Sequence, residues 1–457
     1  MVCLAPLPFG GNEPWAWSLL ALALGLLALL WGLAGVVSRG LVTLRSRRTL
    51  PYAAAMLLLT LWYLLQALPI LPAGWHHPAW AEAAAALEID ATGALSLTPD
   101  RTLTALMRLL SYAAAFWLGL HLLRRRRRAR QFLWALVAAG VGYALYGLSE
   151  HLSGGMQVLW MDKFSYREAL TSSFINRNSY AAYAGLGLVI AMGLLLHRLD
   201  RIWVPRGHGW RLRLVSAIDG LGAAVWLLLA AILLLLTALV LTASKGGALA
   251  SVAGLAAVLL LAGGGRRLSR LLALLLLIGL GSLVLLQSGE LLGDRLAGTR
   301  LQESEEAGDR LSLYALAARE IQRNPLGGTG LGSFAGVYLE RRGPEFGLNP
   351  LNQVRVHNSY LETLLESGLP AGLLLLALPT LAFFLQLRAL GQPGVVRPFP
   401  AIAAAATVLF AVHSLVDFSL QMPGIAITYA ALLGLGVAQS YPHHRRPADA
   451  LAGAPLA

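Results

Sequence analysis

A histidine and several charged side chains stand where an apolar helix is about to begin, in the segment RVHNSYLETLLESG at residues 355–368. His357 has the most versatile chemistry, because an imidazole with a pKa near neutrality can take a proton from a hydroxyl without strong tuning. Asn358, Glu362 and Glu366 follow at i,i+4 spacing, so a helix would carry them on one face. The segment predicts either an interfacial helix that polar residues merely cap or a catalytic group at a membrane surface.

A second polar pair, His413 and Asp417, has the same i,i+4 spacing in HSLVDFSLQMPG at 413–424. It falls close to the end of a long apolar run. Ionisable groups at such depth are costly and mark functional sites by default. A structural hydrogen bond between the two side chains is an equally good interpretation.

Four basic residues also fall at or near the ends of apolar runs: Arg177, Lys245, Arg310 and Arg355. Arginine offers a bidentate fork and lysine a compact point charge, so such residues at a membrane interface can bind phosphate groups. Ordinary structural roles are open as well. Arg310 could pair with a neighbouring carboxylate, and Lys245 could snorkel from a helix end. Arg177 stands between Asn176 and Asn178, so it could belong to a helix cap.

The elements that position these residues are membrane-spanning helices. Of the 457 residues, 57% are hydrophobic and 13% charged, and the mean hydropathy is +0.64. Apolar runs of about 20 residues recur, each long enough to cross about 30 Å of hydrocarbon. The sequence predicts an all-α polytopic membrane protein with about eleven or twelve spans. The eleven that we identify lie near 16–37, 51–70, 104–123, 131–149, 178–197, 216–243, 247–263, 271–287, 368–387, 400–416 and 423–440.

The distribution of charge predicts how the chain lies in the membrane. The net charge is +13 and the pI about 10.3, but the basic residues fall in short connections on one side, such as RRRRRAR at 124–130. Such clusters indicate the cytoplasmic side, and they lack the interleaved aromatic residues of a nucleic-acid groove.

One cysteine excludes an internal disulfide framework. The N-terminus has no features of a cleaved signal peptide.

The connections on the other side are longer, and one of them predicts structure of its own. Residues 1–287 are predicted to form an N-terminal transmembrane bundle, 368–442 the C-terminal spans and 443–457 a cytoplasmic tail. Between them, 288–367 is too long for a simple turn. Apolar spacing predicts a helix at 308–325, and a glycine-rich turn follows at 324–334. We expect this segment to be an ordered cap with a cavity beneath it.

Several familiar sites are missing from the sequence. It contains no GxxxxGK[ST] loop, no HExxH, no Cys/His cluster with zinc spacing and no Asp-x-Asp pair. The sequence therefore predicts no metal site and no cofactor. If the substrate is a pyrophosphate, guanidinium and ammonium groups must neutralise it.

The chain resembles the O-antigen ligase and O-antigen polymerase superfamily of bacterial envelopes. The resemblance covers most of its length and is carried by four segments: FINRNSYAAY, LTASKGG, NPLGGTGLGSF and HNSYLETLLESGLPAGLLLL. It implies a GT-C-type membrane glycosyltransferase with about a dozen spans, in the bacterial inner membrane. Such a protein moves a glycan from undecaprenyl pyrophosphate to an acceptor hydroxyl on the periplasmic side, with inversion and without a metal.

The resemblance also implies roles for individual residues. His357 would be the base that activates the acceptor hydroxyl, while Arg177 and Arg310 would neutralise the pyrophosphate. Lys245 occupies the basic position of an S-[RK]-G segment, where arginine is more usual. The bidentate phosphate contact is therefore in question there.

The acceptor stays open at this stage. A ligase would use lipid A-core sugar, a polymerase another lipid-linked chain, and a protein O-oligosaccharyltransferase a serine or tyrosine. We favour the ligase because the superfamily is usually named for it. The alternative from another class is a transporter or flippase of lipid-linked sugar. Its basic residues would follow a path through the bundle, and internal repeats would be expected.

Overall fold

The structure, a computed structural model, describes residues 1–37, 46–90, 92–200, 222–263, 301–343 and 355–441, together with 271, 274, 275, 278 and 279. The main α-helices in these ranges are α1 (Pro14–Val37), α2 (Ser46–Ala67), α3 (Pro78–Leu87), α4 (Pro99–Leu122), α5 (Arg126–Leu152), α6 (Arg177–Leu199), α7 (Ala223–Leu241), α8 (Lys245–Ala262), α9 (Leu301–Arg323), α10 (Phe334–Arg341), α11 (Ser359–Ser367), α12 (Leu369–Ala389), α13 (Pro398–His413) and α14 (Pro423–Gln439). One hairpin pairs β1 (Gln157–Val158) with β2 (Met161–Asp162) in antiparallel register.

The prediction of an all-α polytopic membrane protein is confirmed. Among the described residues, eight helices are long and apolar enough to cross a membrane: α1, α2, α4, α5, α6, α7, α8 and α12. The helices α13 and α14 are apolar but shorter. The span predicted at 271–287 lies largely outside the described residues. The boundaries predicted at 287 and 442 also fall on residues outside them, so they stay predictions.

Helix α6 is the centre of the bundle. Of its most apolar stretch, 94% is buried, against 6% for the peripheral α1. Small residues let the neighbours approach: a Cβ at Gly185 would overlap Ser251 of α8, and one at Gly193 would overlap Ile402 of α13. Close approach of this kind replaces the hydrophobic driving force that helices lack in lipid.

One end of the bundle carries the arginine-rich connections, and we call it the basic end. Arg126 Nη2 donates to the carbonyl of Gly394 at 2.5 Å. Gln439 Nε2 donates to the carbonyls of Leu123 and Arg124, each at 2.7 Å. These contacts join the α4–α5 turn to the α12–α13 turn and to the end of α14.

The opposite end is covered by α3, α9, α10 and α11, and we call it the capped end. Helix α9 is present where the apolar spacing predicted a helix at 308–325. Its Leu313 and Leu316 pack in a small core with Phe334 of α10 and Leu365 of α11. Gln66 of α2 donates to the carbonyls of Gly327 (2.7 Å) and Glu366 (3.0 Å). A separate hydrophobic core therefore packs the cap helices against each other, and the hydrogen bonds from Gln66 join the cap to the bundle.

Candidate functional site

His357 has an unfavourable backbone conformation. Its φ is +58°, a left-handed value that a residue with a Cβ rarely adopts and that costs of order 1–3 kcal/mol. The Tyr314 hydroxyl donates to the His357 carbonyl at 3.2 Å. The imidazole meets the Phe418 ring at 5.0 Å between centroids, nearly edge to face. Helix α9 and the turn after α13 thus hold the half-buried ring in place.

A buried carboxylate stands beside this imidazole. Asp417 Oδ1 lies 3.9 Å from His357 Nδ1, and the Asp417 side chain is only 2% exposed. The same oxygen accepts a hydrogen bond from the Phe418 amide at 2.7 Å. The distance is that of an ion pair, and a small approach would turn it into a hydrogen bond. A carboxylate in this position fixes the imidazole orientation and stabilises the imidazolium.

His413 and Asp417 are joined by a backbone hydrogen bond, and no hydrogen bond between their side chains is found among the described residues. Both residues are about 1% exposed, and the Asp417 amide donates to the His413 carbonyl at 3.0 Å. His413 Nε2 has no hydrogen-bond partner within the described residues. The Asp417 carboxylate is turned toward His357 instead.

Two predicted cations begin the neighbouring helices α6 and α8. Asn176 caps α6 by accepting from the amides of Asn178 (2.7 Å) and Ser179 (3.4 Å). Ser244 caps α8 and also donates to Asn178 Oδ1 at 2.7 Å. Arg177 and Lys245 are the first residues of these two helices. Their charges therefore add to two helix N-termini, which favour anions.

These helix ends adjoin the His357 region. A Cβ at Gly246 would lie 2.9 Å from Val416, the residue before Asp417. On α9, burial raises the pKa of Tyr314, while the nearby Arg310 charge lowers it and the Asp417 charge raises it. Arg310 precedes Tyr314 by four residues on α9, so the two lie on the same face of that helix. We call this group the His357 cluster: His357, Asp417, Tyr314, Arg177, Lys245 and Arg310.

The glutamates of α11 are buried rather than interfacial. Glu362 is 0% exposed and accepts from Arg355 Nη1 at 3.0 Å and from the Val356 amide at 2.9 Å. Asn358 caps α11 through the amides of Tyr360 and Leu361 and also donates to the Leu415 carbonyl. The predicted polar face of α11 thus holds the segment together instead of facing the membrane surface. The reason is that α9, α10 and α12 enclose this helix.

A cavity of about 880 Å³ lies beneath the cap. Its wall on α4 extends from Arg101 to Trp117, about 24 Å at 1.5 Å per residue. Apolar residues of α2, α4, α12 and α14 form most of the wall, and charged groups gather toward the capped end: Arg101, Arg108, Arg355 and Glu366.

The cavity holds a different set of arginines from the one that the sequence predicted. Of the predicted basic residues, Arg355 lines it, whereas Arg177, Lys245 and Arg310 do not, and neither does His357. Sequence reasoning missed Arg101 and Arg108. Arg108 had a usable signal, because it is an ionisable residue inside an apolar span.

Comparison with known protein families gives one match. Residues 229–376 match the model of a family described as O-antigen ligase. The matched segment contains Lys245, Arg310, Arg355 and His357, but neither Arg177 nor Asp417. No curated protein matches the chain.

Proposed function

Because residues 229–376 place the chain in the O-antigen ligase superfamily, we propose that it transfers a glycan from a polyprenyl-pyrophosphate carrier to an acceptor hydroxyl. The observation that supports this best is the His357 cluster. A strained imidazole with a buried carboxylate beside it stands at the same end of the bundle as three cations. Strained residues concentrate where function requires them.

The proposed reaction is a single displacement. His357 accepts the proton of the acceptor hydroxyl on the ring nitrogen that faces away from Asp417. The acceptor oxygen attacks the anomeric carbon as its bond to the diphosphate breaks, so the configuration inverts. Arg177, Lys245 and Arg310 stabilise the charge that grows on the diphosphate. Because that leaving group is already good, the step draws on neither nucleotide hydrolysis nor a metal ion.

The orientation follows from the charge of the two ends. Arginine-rich connections favour the cytoplasmic side of a membrane. In the proposed arrangement the basic end therefore faces the cytoplasm of a bacterial inner membrane. The His357 cluster then faces the periplasm, where a lipid-linked glycan can enter from the outer leaflet.

Among the acceptors, lipid A-core sugar is our first choice, with a polymerase or protein O-oligosaccharyltransferase activity as alternatives. A transporter of lipid-linked sugar would need cations along a path across the membrane. The cavity arginines instead gather toward the capped end, which favours a transferase.

The decisive experiment mixes the purified protein with an undecaprenyl-pyrophosphate glycan and candidate acceptors, in the presence of a chelator. We expect turnover in the wild type and a loss of about 100-fold or more in His357→Ala. His151→Ala, at the end of α5, is the matched control and should keep its activity. A ladder of products would indicate polymerisation, and a single adduct on lipid A-core would indicate ligation.

Two results would contradict this mechanism. Equal turnover by His357→Ala would remove the histidine from the proton transfer. Loss of all turnover in the chelator, restored by a divalent cation, would show that the displacement requires a metal.

A further inference from the structure

The Arg177 side chain, at the start of α6, is held by an aromatic ring and not by a carboxylate. The ion pairs among the described residues do not include Arg177. Its Nε is buried and has no hydrogen-bond partner within the same ranges. The guanidinium carbon lies over the Tyr166 ring, 5.1 Å from the ring centroid. At this distance the π face of the ring attracts the cation.

Tyr166, like His357, has an unfavourable backbone conformation. Its φ is +54°, in the left-handed region that a residue with a Cβ rarely adopts. The Ala169 amide donates to the Tyr166 carbonyl at 3.1 Å and closes a turn there. Strained conformations persist only where the surroundings impose them, and they concentrate at functional sites. The strain therefore directs attention to what the Tyr166 side chain does.

Hydrogen bonds fix the chain around Tyr166 without the help of Arg177. The buried Lys163 donates from Nζ to the Ala169 carbonyl at 3.0 Å, and these two residues flank the tyrosine. Next along the chain, the Leu170 amide donates to the carbonyl of Leu241, the last residue of α7, at 3.0 Å. The connection is thus tied to itself and to the bundle, so it can serve as a fixed support for the ring.

The kind of partner matters for what the guanidinium can do. A carboxylate neutralises an arginine and occupies its N–H donors, as Glu362 does for Arg355 at 3.0 Å. An aromatic face restrains the planar guanidinium and leaves its charge uncompensated. The Tyr166 ring therefore orients Arg177 and keeps it able to receive an anion.

We propose that Tyr166 is a positioning residue for the transfer, whose ring holds the Arg177 guanidinium in the orientation that receives the diphosphate. This inference rests on the proposed function, in which Arg177 stabilises the charge of the leaving group. Tyr166 acts through Arg177 and does not touch the reacting atoms. Its effect falls mainly on kcat, because the charge on the diphosphate grows as the bond to the anomeric carbon breaks.

Steady-state kinetics of the full chain, with an undecaprenyl-pyrophosphate glycan and the acceptor that the wild type uses, measure this effect. Tyr166→Leu removes the π face and should lower kcat about five- to tenfold, with little change in the KM of the donor. Tyr166→Phe keeps the ring and should stay within about twofold of the wild type. Leu159→Gly is the matched control. Leu159 has φ +56° in the same connection but offers no π face, so this variant should keep the wild-type kcat.

Tyr166→Gly separates positioning from stability. Glycine adopts a φ of +54° without strain, so this variant should unfold at a temperature no lower than that of Tyr166→Leu. Because it also lacks the ring, its kcat should be as low as that of Tyr166→Leu. If the ring were merely structural, turnover would follow the unfolding temperature instead. In an Arg177→Gln background, Tyr166→Leu should cause no further loss, since its effect passes through the guanidinium.

Chemical labelling of Arg177 tests the contact without any turnover. Phenylglyoxal reacts with guanidinium groups, and peptide mass spectrometry resolves the reaction at each arginine. Arg177 should be labelled about threefold faster or more in Tyr166→Leu than in the wild type, and at the wild-type rate in Tyr166→Phe, because the ring restrains and shields the cation. This pattern in a protein that transfers no glycan would support the contact and reject the proposed function.

Four results would overturn the inference. Wild-type kcat in a folded Tyr166→Leu, beside a loss in Arg177→Gln, would show that the arginine needs no ring. An equal loss in Tyr166→Phe would assign the effect to the hydroxyl. Additive losses in the double variant would show that Tyr166 does not act through Arg177. Equal labelling rates in the wild type and Tyr166→Leu would show that the ring does not hold the guanidinium.

Discussion

At the level of single residues, position in the sequence did not reveal how deeply the glutamates of α11 lie. Their i,i+4 spacing correctly places them on one face, and both are buried. Glu362 has Arg355 as its partner, whereas Glu366 accepts hydrogen bonds from backbone amides and forms no ion pair with any other described residue. A carboxyl in that environment holds its proton more tightly. Glu366 therefore differs chemically from Glu362 although the sequence treats them alike.

Glu366→Gln should change how stability depends on pH. The folded pKa of about 8, raised from 4.5 mainly by burial and next by Glu362, means that the folded state holds a proton that the unfolded state releases. The resulting stability is complete below about pH 4.5 and is lost as pH rises through 8. Arg355 and the amides of Gly332 and Phe334 act in the opposite direction. We expect the variant to show a flatter profile of unfolding midpoint between pH 5 and 9.

Glu82→Gln, on the surface of α3, is the control for this measurement and should follow the wild-type curve. Parallel profiles for wild type and Glu366→Gln would show that Glu366 does not take up the proton on folding.

Most residues of the His357 cluster could be selected from their types, but the contacts between them could not. His357, Arg177, Lys245 and Arg310 were identifiable because ionisable residues stood out beside apolar runs. Tyr314 did not stand out, since a tyrosine in an amphipathic helix is ordinary. Asp417 was predicted with His413, four residues away, because spacing reveals neighbours within one helix only. Asp417 contacts His357, which lies sixty residues earlier in the sequence, and this contact depends on how the helices pack.

At the level of elements, the glycine-rich turn between α9 and α10 positions the cap. Gly328 has φ +67°, and a Cβ there would overlap the backbone of Glu366 and Gly368. Thr329 and Gly330 donate to the carbonyls of Leu365 and Glu366 at 3.1 and 3.0 Å. The turn is therefore bonded directly to the end of α11, next to the cavity.

Gly328→Ala should destabilise the protein by about 2 kcal/mol or more, because it combines left-handed strain with a backbone overlap. Gly327→Ala is the matched control: its φ is not in the left-handed range, and its Cβ would meet only the Leu95 side chain at 3.3 Å or more. We expect it to stay within about 1 kcal/mol of the wild type. Denaturant or thermal unfolding in detergent measures both. Equal effects of the two substitutions would contradict this account of the turn.

Elements were more predictable than their packing. Long apolar runs gave the spans, since length and hydropathy are enough to identify them. The caps of α6 and α8 follow from Asn176 and Ser244 before each helix. The direction in which α11 turns its polar face was not predictable. It depends on α9, α10 and α12, which enclose that helix from distant parts of the chain.

At the level of the whole molecule, the two ends differ in how they use arginine. At the basic end, Arg126 and Arg397 donate to carbonyls of Gly394 and Leu261, so they join helix ends as well as supplying charge. At the capped end, Arg323 and Arg341 pair with the buried Glu320. Among the described residues, the run of arginines at 124–128 lies at the basic end, and an asymmetry of this kind orients membrane proteins.

Labelling of single cysteines in intact bacterial cells measures this orientation. In a Cys3→Ser background, Glu82→Cys lies on the exposed surface of α3 at the capped end, and Arg127→Cys lies at the basic end. A membrane-impermeant maleimide should label Glu82→Cys in intact cells whose outer membrane has been made permeable. It should label Arg127→Cys only after the inner membrane is opened. The reverse pattern would place the His357 cluster on the cytoplasmic side, and the periplasmic transfer that we propose would then be wrong, since the acceptor and the glycan would lie across the membrane from the site.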